Sequence, residues 1–261
     1  MNRVHFLAWS LAALGASVTM AATAAPAGGL SAAQVIDKNV AARGGLQAWR
    51  GVDTLVMSGQ LDAGGKKDVK LPFVMTMKRP HKSRFELRFE GQTALQVYDG
   101  QQGWKVRPYL GRDEVTPYTP AEAQSAAASA ELDGPLVDYA RKGTKVALEG
   151  TESVEGHRAY KLKLTMKDGT ERRLWIDATS FLELKIDGEA RKLDGRPHKV
   201  AIYYRNYKPE HGLSVPHVLE TVVEGVKPAR RMTIDRVAVN QPIDDAAFAK
   251  PALASAKAAA H

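Results

Sequence analysis

The sequence predicts a mainly β protein of the α+β class: a curled antiparallel sheet with a few helices laid over it. Three observations carry that expectation. From Thr54 onward, apolar and polar residues alternate in one short run after another, the period-two signature of half-buried strands. Turn residues punctuate those runs, as in Asp99-Gly100-Gln101-Gln102 and Lys167-Asp168-Gly169-Thr170. Helix-start signals occur at only a few places.

The first 24 residues stand apart. Asn2-Arg3 is a short basic start, Val4 to Met20 is largely apolar, and Ala22-Thr23-Ala24 offers small residues at a cleavage position. That pattern is a secretory signal peptide, which leaves residues 25–250 as one folded domain. The closing stretch 251–261 is alanine-rich without apolar periodicity and reads as a disordered tail. Ser31-Ala32-Ala33-Gln34 is a capping box that opens a helix carrying Val35, Ile36 and Val40, stopped by Gly44-Gly45.

Strands follow at 54–62, 69–79, 83–90, 93–98 and 103–107. Thr119-Pro120-Ala121-Glu122 then combines an N-cap, a proline at the first helical position and an N3 glutamate, so an alanine-rich helix runs to about Leu132. Asp133-Gly134-Pro135 starts a second short helix with Leu136, Val137, Tyr139 and Ala140, ended by Gly143. Strands resume at 145–149, 158–167, 170–177, 180–187, 198–208, 213–224 and 230–240. The expected architecture is one long meander, interrupted once by helices that cover its inner face.

Composition narrows the function classes. The 261 residues are 44% hydrophobic and 25% charged, as in an ordinary globular protein, and carry a net charge of +8. Aromatics make up only 7% and none interleave with a basic cluster, which argues against nucleic acid. There is no cysteine, so thiolate metal sites, cysteine nucleophiles and lipid attachment through a thiol are excluded. Neither a Gly-x-Ser-x-Gly elbow nor a phosphate-binding glycine loop, a His-Glu-x-x-His or a dinucleotide fingerprint occurs. No enzyme, cofactor or metal is expected.

What the sequence offers is soft apolar surface. Phe73, Met75, Met77, Phe85, Leu87, Phe89 and Trp104 are the candidate wall of a cavity, methionine being suited to variable packing. Arg79 stands in phase with Phe73, Met75 and Met77. A guanidinium there either lies in solvent at the mouth of the sheet or holds the carbonyls that end the covering helices, as a latch.

These segments resemble the LolA family of periplasmic lipoprotein carriers. The resemblance rests on Lys78-Arg79-Pro80 closing a strand, on "VYDGQQGWKVRP" (Val97 to Pro108), on "PLVDYAR" (Pro135 to Arg141) and on "DDAAFAKP" (Asp244 to Pro251), in that order. It implies an incomplete β-barrel whose helices form a lid over an apolar cavity for acyl chains, with Arg79 tied to the lid. It also implies a periplasmic monomer that takes outer-membrane lipoproteins, or another lipid, from an inner-membrane transporter to an outer-membrane receptor. The region from Trp175 to Arg231 departs from that pattern through an added strand–turn–strand, "YYRNYKPEHGLSVPH" (Tyr203 to His217). The other class of function compatible with the sequence is a sensor or scaffold that binds a partner protein in envelope stress signalling.

Overall fold

The computed structural model describes residues 29–62 and 69–252. The signal-peptide expectation and nearly all of the alanine-rich tail lie outside the described residues. The chain divides into two units, Met1–Leu30 and Ser31–His261, and the second holds every element below.

Two helices come first, α1 (Ala32–Ala42) and the single-turn α2 (Leu46–Arg50). The Ser31–Gln34 capping box forms as the spacing demands. Six strands follow: β1 (Thr54–Asp62), β2 (Lys70–Lys78), β3 (Lys82–Phe89), β4 (Gln92–Tyr98), β5 (Gly103–Arg107) and β6 (Arg112–Pro117). Helix α3 (Pro120–Ser129) starts at a second capping box, Thr119–Glu122. The rest is β7 (Lys145–Val154), β8 (His157–Thr165), β9 (Glu171–Asp177), β10 (Glu183–Asp187), the small hairpin β11 (Arg191–Leu193) and β12 (Arg196–His198), then β13 (Val200–Glu210), β14 (Leu213–Val223) and β15 (Arg230–Val239). A 3-10 turn at Asp245–Phe248 closes the fold.

Thirteen strands form one antiparallel sheet in the order β6-β5-β4-β3-β2-β1-β15-β14-β13-β10-β9-β8-β7. Neighbours in sequence pair as in a meander, apart from β6 and β7 and from the separate β11–β12 hairpin between the paired β10 and β13, and the first and last strands meet at the middle, Leu55 opposite Val239 and Leu61 opposite Met232. The edges are therefore β6 and β7, which do not pair, and the sheet stays open as an incomplete barrel. The chain between those edges, residues 118–144, contains α3 and spans the opening.

Register assigns the faces. Leu55 lies opposite Met77, Met57 opposite Met75, Met75 opposite Phe85 and Phe73 opposite Leu87, so these side chains share one face. The Phe73 and Phe85 rings stack with centroids 5.9 Å apart. Trp49, Val52, Leu132, Val137, Leu213, Val215, Ile234 and Val237 join that face in a single core cluster.

Four details differ from the sequence expectation. Trp104 lies opposite Val97, itself opposite Arg84, and so projects from the face away from Met75. That other face is buried in its own right, by Leu95, Val97, Val106 and the fully covered Phe248. The segment expected to be a second helix, with Leu136, Val137, Tyr139 and Ala140, is a chain of turns, because Asp138 takes φ +52° and stops a helical ladder from propagating. β6 escapes a reading by periodicity, since Arg112-Asp113-Glu114 opens it with charge on both faces. The β11–β12 hairpin likewise comprises short polar strands with no alternation.

Gly59 sits where the β1–β15 register shifts, and a Cβ added there would lie 1.9 Å from the Thr233 carbonyl oxygen. Backbone on both sides cannot yield as a flexible side chain would. Gly59→Ala is therefore expected to cost about 1–3 kcal/mol, read as a lowered denaturant midpoint, whereas the same change at Gly51, at φ −79° and with no atom nearer than 3.5 Å to the added Cβ, should cost far less.

Candidate functional site

The Met75 face of the sheet is concave toward α3, and two clefts flank that helix. One, of about 360 Å³, is floored by Met75, Met77 and Phe85 and roofed by Ser125, Ala126 and Ser129. The other, of about 630 Å³, is floored by Leu164, Met166, Ile186 and Ile202, with Ala121, Ala127 and Ala128 above. Both volumes fall within the range of small-molecule sites. The helix between them buries no residue fully. Glu122, Ser125, Ala126 and Ser129 face the smaller cleft and Ala121, Gln124, Ala127 and Ala128 the larger, two stripes of the helix in which half the residues are alanine, which brings little apolar area to the contact.

Polar ties hold this cover at its ends. At the start of α3, the Glu122 carboxylate accepts from Lys105 and, at 3.1 Å, from Arg107, while completing the capping box with the Thr119 N–H at 2.9 Å. Burial opposes ionisation of this carboxyl, but the hydrogen bonds from Lys105 and Thr119 and the Lys105 charge outweigh it and hold the pKa at about 2. Tyr118 donates its backbone N–H to the Gly103 carbonyl at 2.8 Å, and its ring fills the space where a Cβ on Gly103 would stand. Burial, then the Glu122 charge, pushes the Tyr118 phenol up to about 12 despite nearby Arg107.

Beyond the other end of α3 lies Asp133, whose side chain is 3% exposed. Arg79 donates to it at 2.8 Å, and Lys142 supplies a second charged bond. The same guanidinium donates from Nε to the Val52 carbonyl at 2.7 Å and to the Trp49 carbonyl at 3.0 Å. Trp49 belongs to α2, so one side chain at the end of β2 joins the sheet, the short helix and the segment after α3. Arg43 adds a bond to the Asp133 backbone carbonyl at 2.9 Å and lies over the Trp49 ring.

Of the expected wall residues, Phe73 and Met77 are buried in the core cluster, and Met75, Phe85 and Leu87 pack partly buried against it. Met75, Met77 and Phe85 line the smaller cleft. Phe89 shares their face by register but stands half-buried at the strand end, and Trp104 lies on the reverse face. Leu136 and Val137 are buried, Tyr139 is half-buried and Ala140 exposed. Leu136, Tyr139 and Ala140 line a groove against α1 rather than either cleft beside α3. Sequence reasoning missed the Lys105–Glu122–Arg107 tie and the whole floor of the larger cleft. A sequence signal existed for the first: the Asp99–Gln102 turn sets Tyr98 opposite Gly103, which places Lys105, not Trp104, on the Met75 face. Among the described residues no group of three or more His, Cys, Asp or Glu is placed to hold a metal ion.

Comparison of whole folds is decisive for the architecture. A DUF1329 family protein from Desulfovibrio piger superposes with a TM-score of 0.56, over 82% of this chain and 95% of that one, at 16% identity. A LolA superfamily protein from Nitrosomonas europaea gives 0.53, over 85% and 99%, at 15% identity. The chain has a LolA-like fold. A Vibrio parahaemolyticus domain named for outer-membrane lipoprotein sorting is similar to this LolA-like chain too, with a TM-score of 0.53 over 82% and 94% at 12% identity. A family model described as "Uncharacterized protein" matches residues 137–255, and no curated protein matches the chain.

Two outcomes follow from the ties across this LolA-like cover. Arg79→Leu removes three donated hydrogen bonds and leaves the buried Asp133 with Lys142, a loss of about 1–3 kcal/mol; amide exchange should quicken in residues 46–53 and 131–143 while β8 and β9 stay protected. Glu122 has a depressed pKa, so its stabilisation is complete above its ordinary value of 4.5 and disappears as pH falls through about 2. Limited proteolysis near α3 should accelerate over that window, and Glu122→Gln should be accelerated throughout and lose that part of the pH dependence.

Proposed function

We propose that the protein is a periplasmic carrier that shields the acyl chains of outer-membrane lipoproteins, or of a related lipid, beneath α3. It is a binding protein and not an enzyme, loaded by an inner-membrane transporter and emptied by an outer-membrane receptor. The observation that carries this reading is the cover itself. A broad concave apolar face meets an alanine helix that buries no side chain fully, with a cleft on each side. The LolA-like fold and the lipoprotein-sorting name of one similar domain support the same reading.

The energetics suit reversible loading. Burial contributes about 0.8 kcal/mol per CH₂, so one acyl chain gains affinity from the floor of a cleft without any specific polar contact. Release is favoured by the return of α3 and the segment after it to the same floor. Met75, Met77 and Phe85 are the proposed contacts in the smaller cleft, and Leu164, Ile186 and Ile202 in the larger.

Mass spectrometry of protein purified from a membrane-containing extract should find bound lipid or lipoprotein, and a fluorescent fatty-acyl ligand should bind the delipidated protein. Met75→Glu, which sets a carboxylate on the floor at a half-buried position, should weaken that ligand at least tenfold with the circular dichroism spectrum unchanged. Lipid-free protein that ignores the ligand and captures a regulatory polypeptide instead would replace the carrier with a sensor.

A further inference from the structure

The β11–β12 hairpin and the β14–β15 connection lie side by side at one end of the sheet. His198 Nδ1 is 2.8 Å from the Glu224 carbonyl oxygen, the Glu224 N–H donates to the Lys199 carbonyl at 2.9 Å, and the Lys199 N–H donates to the Glu224 carboxylate at 3.2 Å. Around this seam the sequence places Arg191, Lys192, Arg196, Lys199, Lys227, Arg230 and Arg231, against the acids Asp194 and Glu224.

Most of this charge is uncompensated: of these cations, Arg231 alone meets a carboxylate among the described residues, that of Glu220 at 3.6 Å. Arg191, Lys192, Arg196, Lys227 and Arg230 are all exposed, and none has an ion-pair partner among the described residues. On the nearby strands the arrangement is different: Lys161, Lys163, Arg173 and Arg205 each meet a carboxylate. Desolvation and then the Arg230 charge lower the Arg191 pKa. Like charges on one surface repel until an anion lies among them. At the apex of the same connection Val226 is 42% exposed, one of very few large apolar side chains left open on the described surface.

We propose that this tip docks the protein on a membrane surface rich in anionic phospholipid. The cations meet headgroup phosphates and Val226 enters the boundary between headgroups and acyl chains, the combination that holds interfacial segments at a bilayer. An acidic protein would satisfy the charges but leave the exposed valine without a role. The proposal concerns where the protein docks and holds whatever the clefts carry. Neither cleft beside α3 includes a residue of the tip.

The test is flotation of the purified protein with phosphatidylcholine vesicles, with and without phosphatidylglycerol. Binding should require phosphatidylglycerol and fall as salt is raised. Each cation near such a surface is worth about fivefold in partition, so Arg191→Gln combined with Arg230→Gln should lower it roughly twenty-five-fold. Val226→Asp should lower it further, and both variants should keep wild-type affinity for the acyl ligand. Equal partition of the wild type onto both vesicle types, or undiminished partition of the double variant, would overturn the proposal. So would retention on immobilised polyglutamate with no vesicle binding, which would assign the tip to an acidic protein.

Discussion

A carboxylate as deeply covered as Asp133 cannot be left alone. An unpaired buried charge costs several kcal/mol even after relaxation, and Asp133 escapes that penalty only because Arg79 and Lys142 converge on it. Those partners come from different parts of the chain. Arg79 extends from the end of β2 and simultaneously takes the carbonyls of Trp49 and Val52, so satisfying Asp133 also fixes α2 against the sheet. The segment after α3 is positioned by this electrostatic requirement together with the buried side chains of Leu132, Leu136 and Val137. Its turns reflect that priority: Asp133 and Asp138 both point their carboxylates at arginines, Arg79 and Arg50, from a backbone that does not complete a helix.

With one end of the cover fixed at Asp133 and the other at Glu122, the stretch between is left to small side chains. Alanine makes a stable helix with almost no side-chain entropy to lose. It also contributes little when buried, so α3 forms readily but adheres weakly to the methionines and aliphatic residues beneath. The polar ties are strong and localised while the apolar contact is broad and poor. That division separates holding the cover in place from sealing the floor, and a hydrocarbon ligand of the proposed kind would compete mainly with the second.

How much of this was legible before the fold was known depends on the range of the interaction. Strand positions and both capping boxes follow from local spacing, and the phase of Arg79 with Phe73, Met75 and Met77 is a local pattern too. Trp104 belongs to the other face because the hairpin aligns Tyr98 with Gly103, a pairing that the aromatic character of Trp104 does not reveal. The Glu122 tie was hidden because its capping role already explained a glutamate at N3, and nothing local announces a second duty toward Lys105 and Arg107. The floor of the larger cleft assembles Leu164, Ile186 and Ile202 from three strands, a pairing fixed by the long-range order β13-β10-β9-β8 and by no one segment.

The open seam between β6 and β7 gives these observations a common mechanical sense. In a closed barrel every strand is held by two ladders, and admitting a ligand from the side would break main-chain hydrogen bonds. Here the sheet already ends on either side of the insertion, and β6 opens with Arg112, Asp113 and Glu114, charges that discourage a stray strand from adding to the edge. Displacing α3 breaks no strand pairing at all. It breaks the ties of Glu122, Tyr118 and the Arg79–Asp133 junction, groups that can be satisfied again when the helix returns. The sheet would therefore keep its thirteen-strand order as a constant wall, and the work of opening would be confined to a handful of named polar contacts, of which the Arg79–Asp133 junction lies outside the lining of both clefts.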